Sequence, residues 1–420
     1  MSREMVNSGI PWIGKIPKGW KVSRLKNLAT DKDSLIIDGD WIESNVIEAS
    51  GIRYLTTGNV GDGVFKEQGQ GYISRETFDA LNCTMVYAGD LVFSRLNYPM
   101  GRSCIIPDTY ERCVVAVDNV IFRPNKDVSK RFLMYVSMCT GFQNENALIA
   151  RGATMQRMSR SQLVRVFVPI PDTVTQQKIA SFLDRKCAEI DEMIALQEKI
   201  VEELKAYKQS VITEAVTKGL NPDAPMKDSG IEWIGEIPEH WSLYRLKYLC
   251  SIQTGDKDTQ DAVQDGQYPF YVRSPRVEKS NNYSFEGEGI LMAGDGAGAG
   301  RVFHHVYGKY AVHQRVYRMY NIQNIIQSDY LFYYISNLFC KVMDMGSAQS
   351  TVPSVRLPML TNFATCIPPM VEQEAIAEYL NTKCTEIDNL ISIKLSKIDS
   401  LKEYKKSIIY EYVTGKKEVI

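Results

Sequence analysis

The chain repeats itself, and that repeat constrains its fold more than any other feature. Residues Ser8–Ala29 read SGIPWIGKIPKGWKVSRLKNLA and Ser229–Cys250 read SGIEWIGEIPEHWSLYRLKYLC, identical at 13 of 22 positions at an offset of 221. A longer pair of blocks begins at Pro171 and Pro368 and aligns without a gap at an offset of 197, so the intervening material is 24 residues shorter in the second copy. A repeat of this kind fixes architecture before any motif is read. Between the blocks the likeness is faint. Gly101-Arg102 answers Gly300-Arg301, Ala116–Arg123 (AVDNVIFR) answers Ala311–Arg318 (AVHQRVYR), and Arg131–Tyr135 answers Tyr330–Tyr334. Each copy reads as a constant opening, a variable α+β globule and a constant closing helix.

The closing helices run from about Thr175 to Thr217 and from Glu372 to Thr414, free of Gly and Pro. At 1.5 Å per residue each spans roughly 60 Å. Seven-residue spacing is in register in both copies. One stripe is Ile194, Val201, Lys208, Ala215 against Ile391, Ile398, Lys405, Tyr412; the other is Ile190, Gln197, Leu204, Val211 against Ile387, Lys394, Leu401, Ile408. This is a coiled-coil seam with polar interruptions that favour one register. Each helix follows its own globule, so antiparallel pairing is expected, with the globules at opposite ends and a pseudo-two-fold axis between them. Helix pairing is assigned to Ile190, Ile194, Val201, Leu204, Val211, Ile387, Ile391, Ile398, Leu401 and Ile408. Lys218-Gly219-Leu220-Asn221-Pro222 stops the first helix and starts the linker.

Chemical motifs are sought next. No G-x-x-x-x-G-K-[ST], G-x-S-x-G, H-E-x-x-H or N-P-P-[FYW] occurs. Gly294–Ala299 (GDGAGA) resembles a dinucleotide loop, but a strand-like run follows where a helix should receive the pyrophosphate. His304, His305 and His313 have no Cys or carboxylate at ligand spacing, so no metal is expected. The nine cysteines are scattered without C-x-x-C, which reads as reduced, metal-free and cytoplasmic. No apolar run reaches the roughly 18 residues of a membrane span, and Met1–Ile10 lacks a signal-peptide pattern. The chain reads as non-catalytic, without a cofactor of its own.

Local charge is more telling than the net charge of −1, which argues against coating nucleic acid by electrostatics alone. From Arg95 to Arg165 eleven Arg/Lys face five acids, and Arg151–Arg165 (RGATMQRMSRSQLVR) holds no acid at all. Its counterpart Gly346–Arg356 is also loop-like and acid-free. Arg, Gln and Ser/Thr are the side chains that reach base edges and phosphates. In the first copy the DNA-contact candidates are Arg95, Arg102, Arg151, Thr154, Gln156, Arg157 and Arg160. In the second they are Arg273, Arg276, Arg301, His304, Lys309, His313, Arg315, Gln349, Ser350 and Arg356.

The opening W-I-G-x-I-P-x-x-W…R-L-K (Trp12–Lys26, Trp233–Lys247) and the closing blocks Pro171–Thr217 and Pro368–Thr414 resemble the specificity subunits of type I restriction-modification enzymes. One departure is Gln176-Gln177, standing where Glu372-Gln373 stands in the second copy. The resemblance covers the whole chain. It implies target-recognition domains at 1–171 and 220–368, with spacer helices at 172–219 and 369–420. It implies binding to double-stranded DNA with two methyltransferase subunits and, in the full complex, two restriction subunits. S-adenosylmethionine, ATP and Mg would then belong to those partners. On the residues alone two alternatives stay open: a coiled-coil scaffold that binds proteins without reading DNA, and a self-contained enzyme, which the missing motifs disfavour.

Overall fold

A computed structural model of the chain describes residues 3–152, 154–346 and 353–419. The chain divides into two compact units, Met1–Gln197 with Ser396–Ile420, and Glu198–Leu395. Each unit therefore holds one globule, the first half of the helix that follows it and a stretch of the other long helix.

The first globule opens with β1 (Met5–Asn7), β2 (Lys15–Pro17), β3 (Lys21–Arg24), β4 (Leu35–Asp38), β5 (Ile52–Leu55) and β6 (Gly71–Ile73). It continues through α1 (Arg75–Ala80), β7 (Val86–Tyr87), β8 (Leu91–Ser94), β9 (Ser103–Ile105), β10 (Arg112–Val115) and β11 (Asn119–Arg123). Then come α2 (Lys130–Ser137), α3 (Thr140–Ile149), α4 (Arg160–Leu163), β12 (Phe167–Ile170) and the long α5 (Thr173–Lys218).

The second globule opens with β13 (Met226–Asp228), β14 (Glu236–Pro238), β15 (Ser242–Arg245), β16 (Ser251–Thr254), β17 (Tyr268–Tyr271) and β18 (Val277–Ser280). There follow β19 (Phe285–Glu286), β20 (Gly289–Ala293), β21 (Phe303–Val306), β22 (Lys309–Val312) and β23 (Val316–Tyr320). The chain closes with α6 (Ser328–Gly346), α7 (Leu357–Thr361), β24 (Ala364–Ile367) and α8 (Met370–Val413).

The two globules match strand for strand. Sheets β6-β5-β10-β7 and β4-β11-β8-β9 recur as β18-β17-β22-β19 and β16-β23-β20-β21, and the pair β12-β3 recurs as β24-β15. The missing residues of the second copy lie mostly where α1 stands, since residues 56–85 separate β5 from β7 but only 272–284 separate β17 from β19. The structure also corrects the strand register. Cys113 pairs with Arg53 and Val115 with Leu55, just as Ala311 pairs with Phe270 and Val312 with Tyr271. Asp118 therefore answers Arg315, two residues away from the alignment of AVDNVIFR with AVHQRVYR.

Both faces of the inner sheet are covered, which is why β8, β11 and β20 carry unbroken apolar runs, while β23 is interrupted by buried Arg318, which donates to Tyr310 Oη at 2.8 Å. Leu91, Phe93, Val120 and Phe122 face the core shared with α2 and the long helices, whereas Val92 and Ile121 face the other sheet. Ile290, Met292 and Met319 repeat the first pattern and Leu291 and Val316 the second. Gly101 and Gly300 both take left-handed φ (+77° and +63°) against Phe142 and Phe339, which leave no room for a β-carbon.

Within the first unit α5 and α8 run antiparallel: Phe182 stacks on Tyr412 at 4.4 Å, and Lys405 Nζ lies 2.6 Å from Asp191. In the second unit Lys208 and Asp388 make the equivalent pair at 2.7 Å. Two of the seam's four polar interruptions, Lys208 and Lys405, thus have carboxylate partners on the facing helix. Ile190, Val201, Val211, Ile387, Ile398 and Ile408 are buried, and Ile194, Leu204, Ile391 and Leu401 half-buried. Among the described residues no helix is long and apolar enough to cross a membrane.

Gln176 and Gln373 tie each globule to its own helix. Gln176 Oε1 accepts from the Ser129 N–H at 2.8 Å while its amide donates to Pro171 O at 2.9 Å. Gln373 accepts from Gln327 N–H and donates to Pro368 O at the same two distances. The equivalent of Glu372 is accordingly Thr175, and the Gln176-Gln177 alignment slips by one residue. Glu372 instead receives the indole N–H of Trp241 at 2.9 Å and faces His240 at 2.7 Å.

Candidate nucleic-acid interface

Arg95, Arg157 and Arg160 in the first unit and Arg273 and Arg315 in the second gather at equivalent strand ends: those of β4, β8 and the β10–β11 turn, and those of β20 and the β22–β23 turn. In the first unit the loop after α3 folds back on the loop after β8. Leu96 bridges Arg157, and Asn97 N–H donates to Gln156 O at 2.8 Å. This sets Arg151, Thr154, Gln156 and Arg157 on the surface. Ser159 caps α4 with a reciprocal Gln162 bond and fixes Arg160 at its first position.

Beneath them lies a charge network. Arg157 Nε is 2.6 Å from Asp118, and Arg160 is 3.6 Å from Asp38. Arg95 stands between both carboxylates, 3.2 Å from Asp38 and 3.6 Å from Asp118. Burial draws the Arg95 pKa below its usual range, against the pull of Asp38 and Asp118.

In the second unit Asp295, at the end of β20, holds two arginines. Arg273 donates to one carboxylate oxygen at 2.9 Å and Arg315 to the other at 2.6 Å. Burial opposes ionisation of Asp295, but the two guanidinium groups outweigh it and hold the carboxyl below the ordinary range. Asp295 bridges Ser354, the place where Leu96 bridges Arg157 in the first copy. A cleft of about 460 Å³ opens on the Arg273 side, lined by Thr259, Ser274, Glu278 and Gly296–Gly298. A second of about 250 Å³ opens on the Arg315 side, lined by Gln314, Tyr317 and Ser354.

Several sequence-selected residues work inside the protein instead. Arg95 is 6% exposed and donates to Met158 O and Val117 O. Arg102 donates to the carbonyls of Val60, Leu96, Asn97 and Thr57, locking the loop that Arg157 leans on. His313 is 2% exposed and its Nδ1 accepts the Arg315 N–H at 3.0 Å, so it shapes the turn. Arg95 and Arg102 spend their guanidinium groups on backbone carbonyls and His313 takes up the neighbouring Arg315 N–H, so in this structure all three support the loops that carry the exposed arginines. Lys309 sits at the other end of β22, over the Tyr283 ring. Half-buried His304 packs on Tyr271 at 5.0 Å. Arg301 pairs with Asp344 at 2.9 Å, and exposed Arg276 lies 3.3 Å from Glu278. Arg356 is exposed at the start of α7, and Gln349 and Ser350 lie outside the described residues. The three aspartates, Asp38, Asp118 and Asp295, were missed. Their turn contexts (IDGD, VDN, GDG) were the available signal, but acids had been counted only as dilution of a basic patch.

The sequence matches the type I restriction modification DNA specificity domain twice, over residues 17–206 and 238–415. The chain is similar to the putative type I restriction enzyme MjaX specificity subunit of Methanocaldococcus jannaschii. Identity is 24%, over 96% of this chain and 95% of that one. The EcoDI specificity subunit of Escherichia coli is 28% identical over 43% of this chain and 39% of its own length. Among solved structures, a chain from work on complex assembly and conformational transition of the type I R-M system aligns with a TM-score of 0.72 at 14% identity. That alignment covers 95% of this chain and 98% of the other. The HsdS subunit from Thermoanaerobacter tengcongensis aligns with a TM-score of 0.52 over the same shares, also at 14% identity. The duplicated globules and the two domain matches agree, and the chain belongs to the type I restriction-modification specificity subunits, with two DNA recognition domains.

Proposed function

We propose that this chain reads a bipartite duplex target, one half-site per recognition domain, and leaves all bond-making and bond-breaking to partner subunits. The carrying observation is the strand-for-strand match of the two globules, with unlike polar side chains on the same strand ends. Identical scaffolds with different tips suit two separate sequences, because base edges are read by side chains while scaffold and phosphate contacts set position.

Two methyltransferase subunits would deliver one methyl group to each strand, extruding an adenine to reach its amino group. S-adenosylmethionine would be theirs, and ATP and Mg would serve restriction subunits where those join. Their contacts would supplement a chain whose net charge is only −1. A pair of exposed apolar stripes supports two equivalent partners. Met193, Leu196 and Tyr207 on α5 recur as Leu390, Ile393 and Tyr404 on α8, all solvent-facing here. The cytoplasm, where such DNA lies, is the compartment that fits.

The long helices would set the gap between half-sites. Deleting one heptad from each, Gln197–Glu203 with Lys394–Ser400, spares those apolar stripes and shortens both helices by about 10 Å at 1.5 Å per residue. That is about three base pairs of 3.4 Å each. Methylome sequencing of cells carrying the shortened chain with its partners should report the same half-sites around a shorter spacer. An unchanged spacer would refute the ruler. Absence of any sequence-specific methylation or footprint with the intact assembly would favour a protein scaffold instead.

A further inference from the structure

Resting on that reading, we infer that each recognition domain reads a guanine through one arginine braced by one aspartate: Arg157 on Asp118 in the first unit, Arg315 on Asp295 in the second. The geometry is specific. An ion pair of 2.6 Å sets the Arg157 Nε against Asp118 Oδ1, with the two terminal nitrogens as the free end of a side chain 48% exposed. Arg315 gives Nη1 to Asp295 at 2.6 Å, which leaves the Nε–Nη2 edge on a side chain 63% exposed. Among the described residues neither fork meets another acceptor. Two parallel N–H donors match O6 and N7 of guanine in the major groove, and no other base offers that pair of acceptors. Bracing matters because a free arginine has rotamer entropy to lose on docking, and a braced one has less.

The carboxylates are themselves fixed. Asp118 is 21% exposed and touches buried Arg95 from below; Asp295 is 16% exposed and also holds Arg273. Brace and reader sit on different loops in the two copies: the positions that answer Arg157 and Asp295 are Ser354 and Leu96. The turn before β11 carries the acid Asp118, while the equivalent turn before β23 carries the arginine Arg315. The pair survives although each partner has moved to a different strand end. Asp118 and Asp295 are therefore positioning residues that act through their arginines.

The test uses the full chain assembled with its methyltransferase subunits, on duplexes carrying the target defined by its methylome. Each guanine is replaced in turn by 7-deazaguanine, which deletes only the N7 acceptor, and each G·C pair by A·T. One position per half-site should respond, with the A·T exchange weakening binding about 5- to 150-fold. Arg157→Lys and Asp118→Asn should relax preference at the same single base pair, with no further loss in the double variant. Arg315→Lys and Asp295→Asn should do so in the other half. Relaxation confined to one base pair is a readout that general unfolding would not give. Should any variant fail to fold, the deazaguanine scan of the wild-type assembly still decides. A half-site without a G·C pair, or without a deazaguanine-sensitive position, overturns the inference while leaving bipartite reading intact. Uniform weakening at all positions with a shallower salt dependence, the mark of a phosphate contact, overturns it as well. No sequence-specific binding by the wild-type assembly would instead sink the proposed function.

Discussion

Loss of Gln176 would leave a junction of three elements without its polar bonds. Gln176 is 1% exposed in the first turn of α5, and its amide closes bonds to Ser129 N–H and Pro171 O, at 2.8 and 2.9 Å. Ser129 also caps α2, its Oγ accepting the Phe132 N–H at 3.2 Å. One side chain thus joins the end of β12, the start of α2 and the start of α5. Gln176→Leu keeps the volume but strands a buried N–H and a buried carbonyl, each costing about 1–3 kcal/mol. The expected loss is about 2–5 kcal/mol, discounted at the upper end because local backbone shifts admit water. Gln176→Glu should behave differently. A carboxylate can still accept from Ser129 but not donate to Pro171 O, so burial raises its folded pKa above the unfolded value. A raised pKa means stability that is present below the unfolded pKa and lost as pH rises through the folded one, so this variant should recover as pH falls from 7 toward 4. Urea unfolding, with hydrogen exchange mapped on residues 127–137 and 171–180, reads both effects. Gln373→Leu should leave those segments alone and expose their second-copy equivalents. If Gln176→Leu lost less than about 0.5 kcal/mol, the size of an ordinary surface change, the clamp would be decorative.

The other predictions concern surfaces and titration. Met193→Glu and Leu390→Glu should each weaken docking of one methyltransferase copy without destabilising the chain, since Met193 is 43% and Leu390 46% exposed. Native mass spectrometry should show one bound copy for each single variant, and two copies retained by the double variant would refute the docking stripes. His304 and His313 are held below the usual histidine pKa of 6.5, chiefly by burial. Both are neutral when folded while the unfolded chain takes up protons first. Their contribution is therefore complete above about pH 6.5 and lost as pH falls through the lower folded values. Urea midpoints of the second unit should drop between pH 7.5 and 5.5, and a flat profile would contradict the assignment.

The frame was legible because local pattern and long-range packing agree there. Heptad spacing alone picked out Ile190, Val201, Val211, Ile387 and Ile408, and all are buried. It could not show that Lys208 and Lys405 meet Asp388 and Asp191, since a lysine on a seam does not announce its partner. The strand register failed for a physical reason. Side chains alternate with period two, so AVDNVIFR and AVHQRVYR keep every in-or-out assignment when slid by two residues, and pattern cannot detect the slip. Only the ladder partners on β5 and β17 decide it. Within the candidate site, the acid-free run Arg151–Arg165 pointed to Arg157 and Arg160, and the structure places both beside carboxylates, Asp118 and Asp38. The burial of Arg95 was not legible, because it depends on Met158, 63 residues away, whose carbonyl it meets at 2.9 Å.

The contrast between what the two copies share and what they exchange follows from energetics. A buried glutamine bonded to two backbone groups is held by folding itself, so Gln176 and Gln373 keep the same partners at the same distances. A half-exposed arginine–aspartate pair contributes only about 0–1 kcal/mol to stability. Folding would tolerate its loss from either copy, and would not care which loop carried the acid. Yet both copies present such a pair, with the acid moved from the turn before β11 to the end of β20. A feature too weak to be required by the fold, but rebuilt from different positions on the same rim, is selected by something outside the chain. A duplex whose two half-sites must be read from one scaffold by differently placed forks is such an external demand.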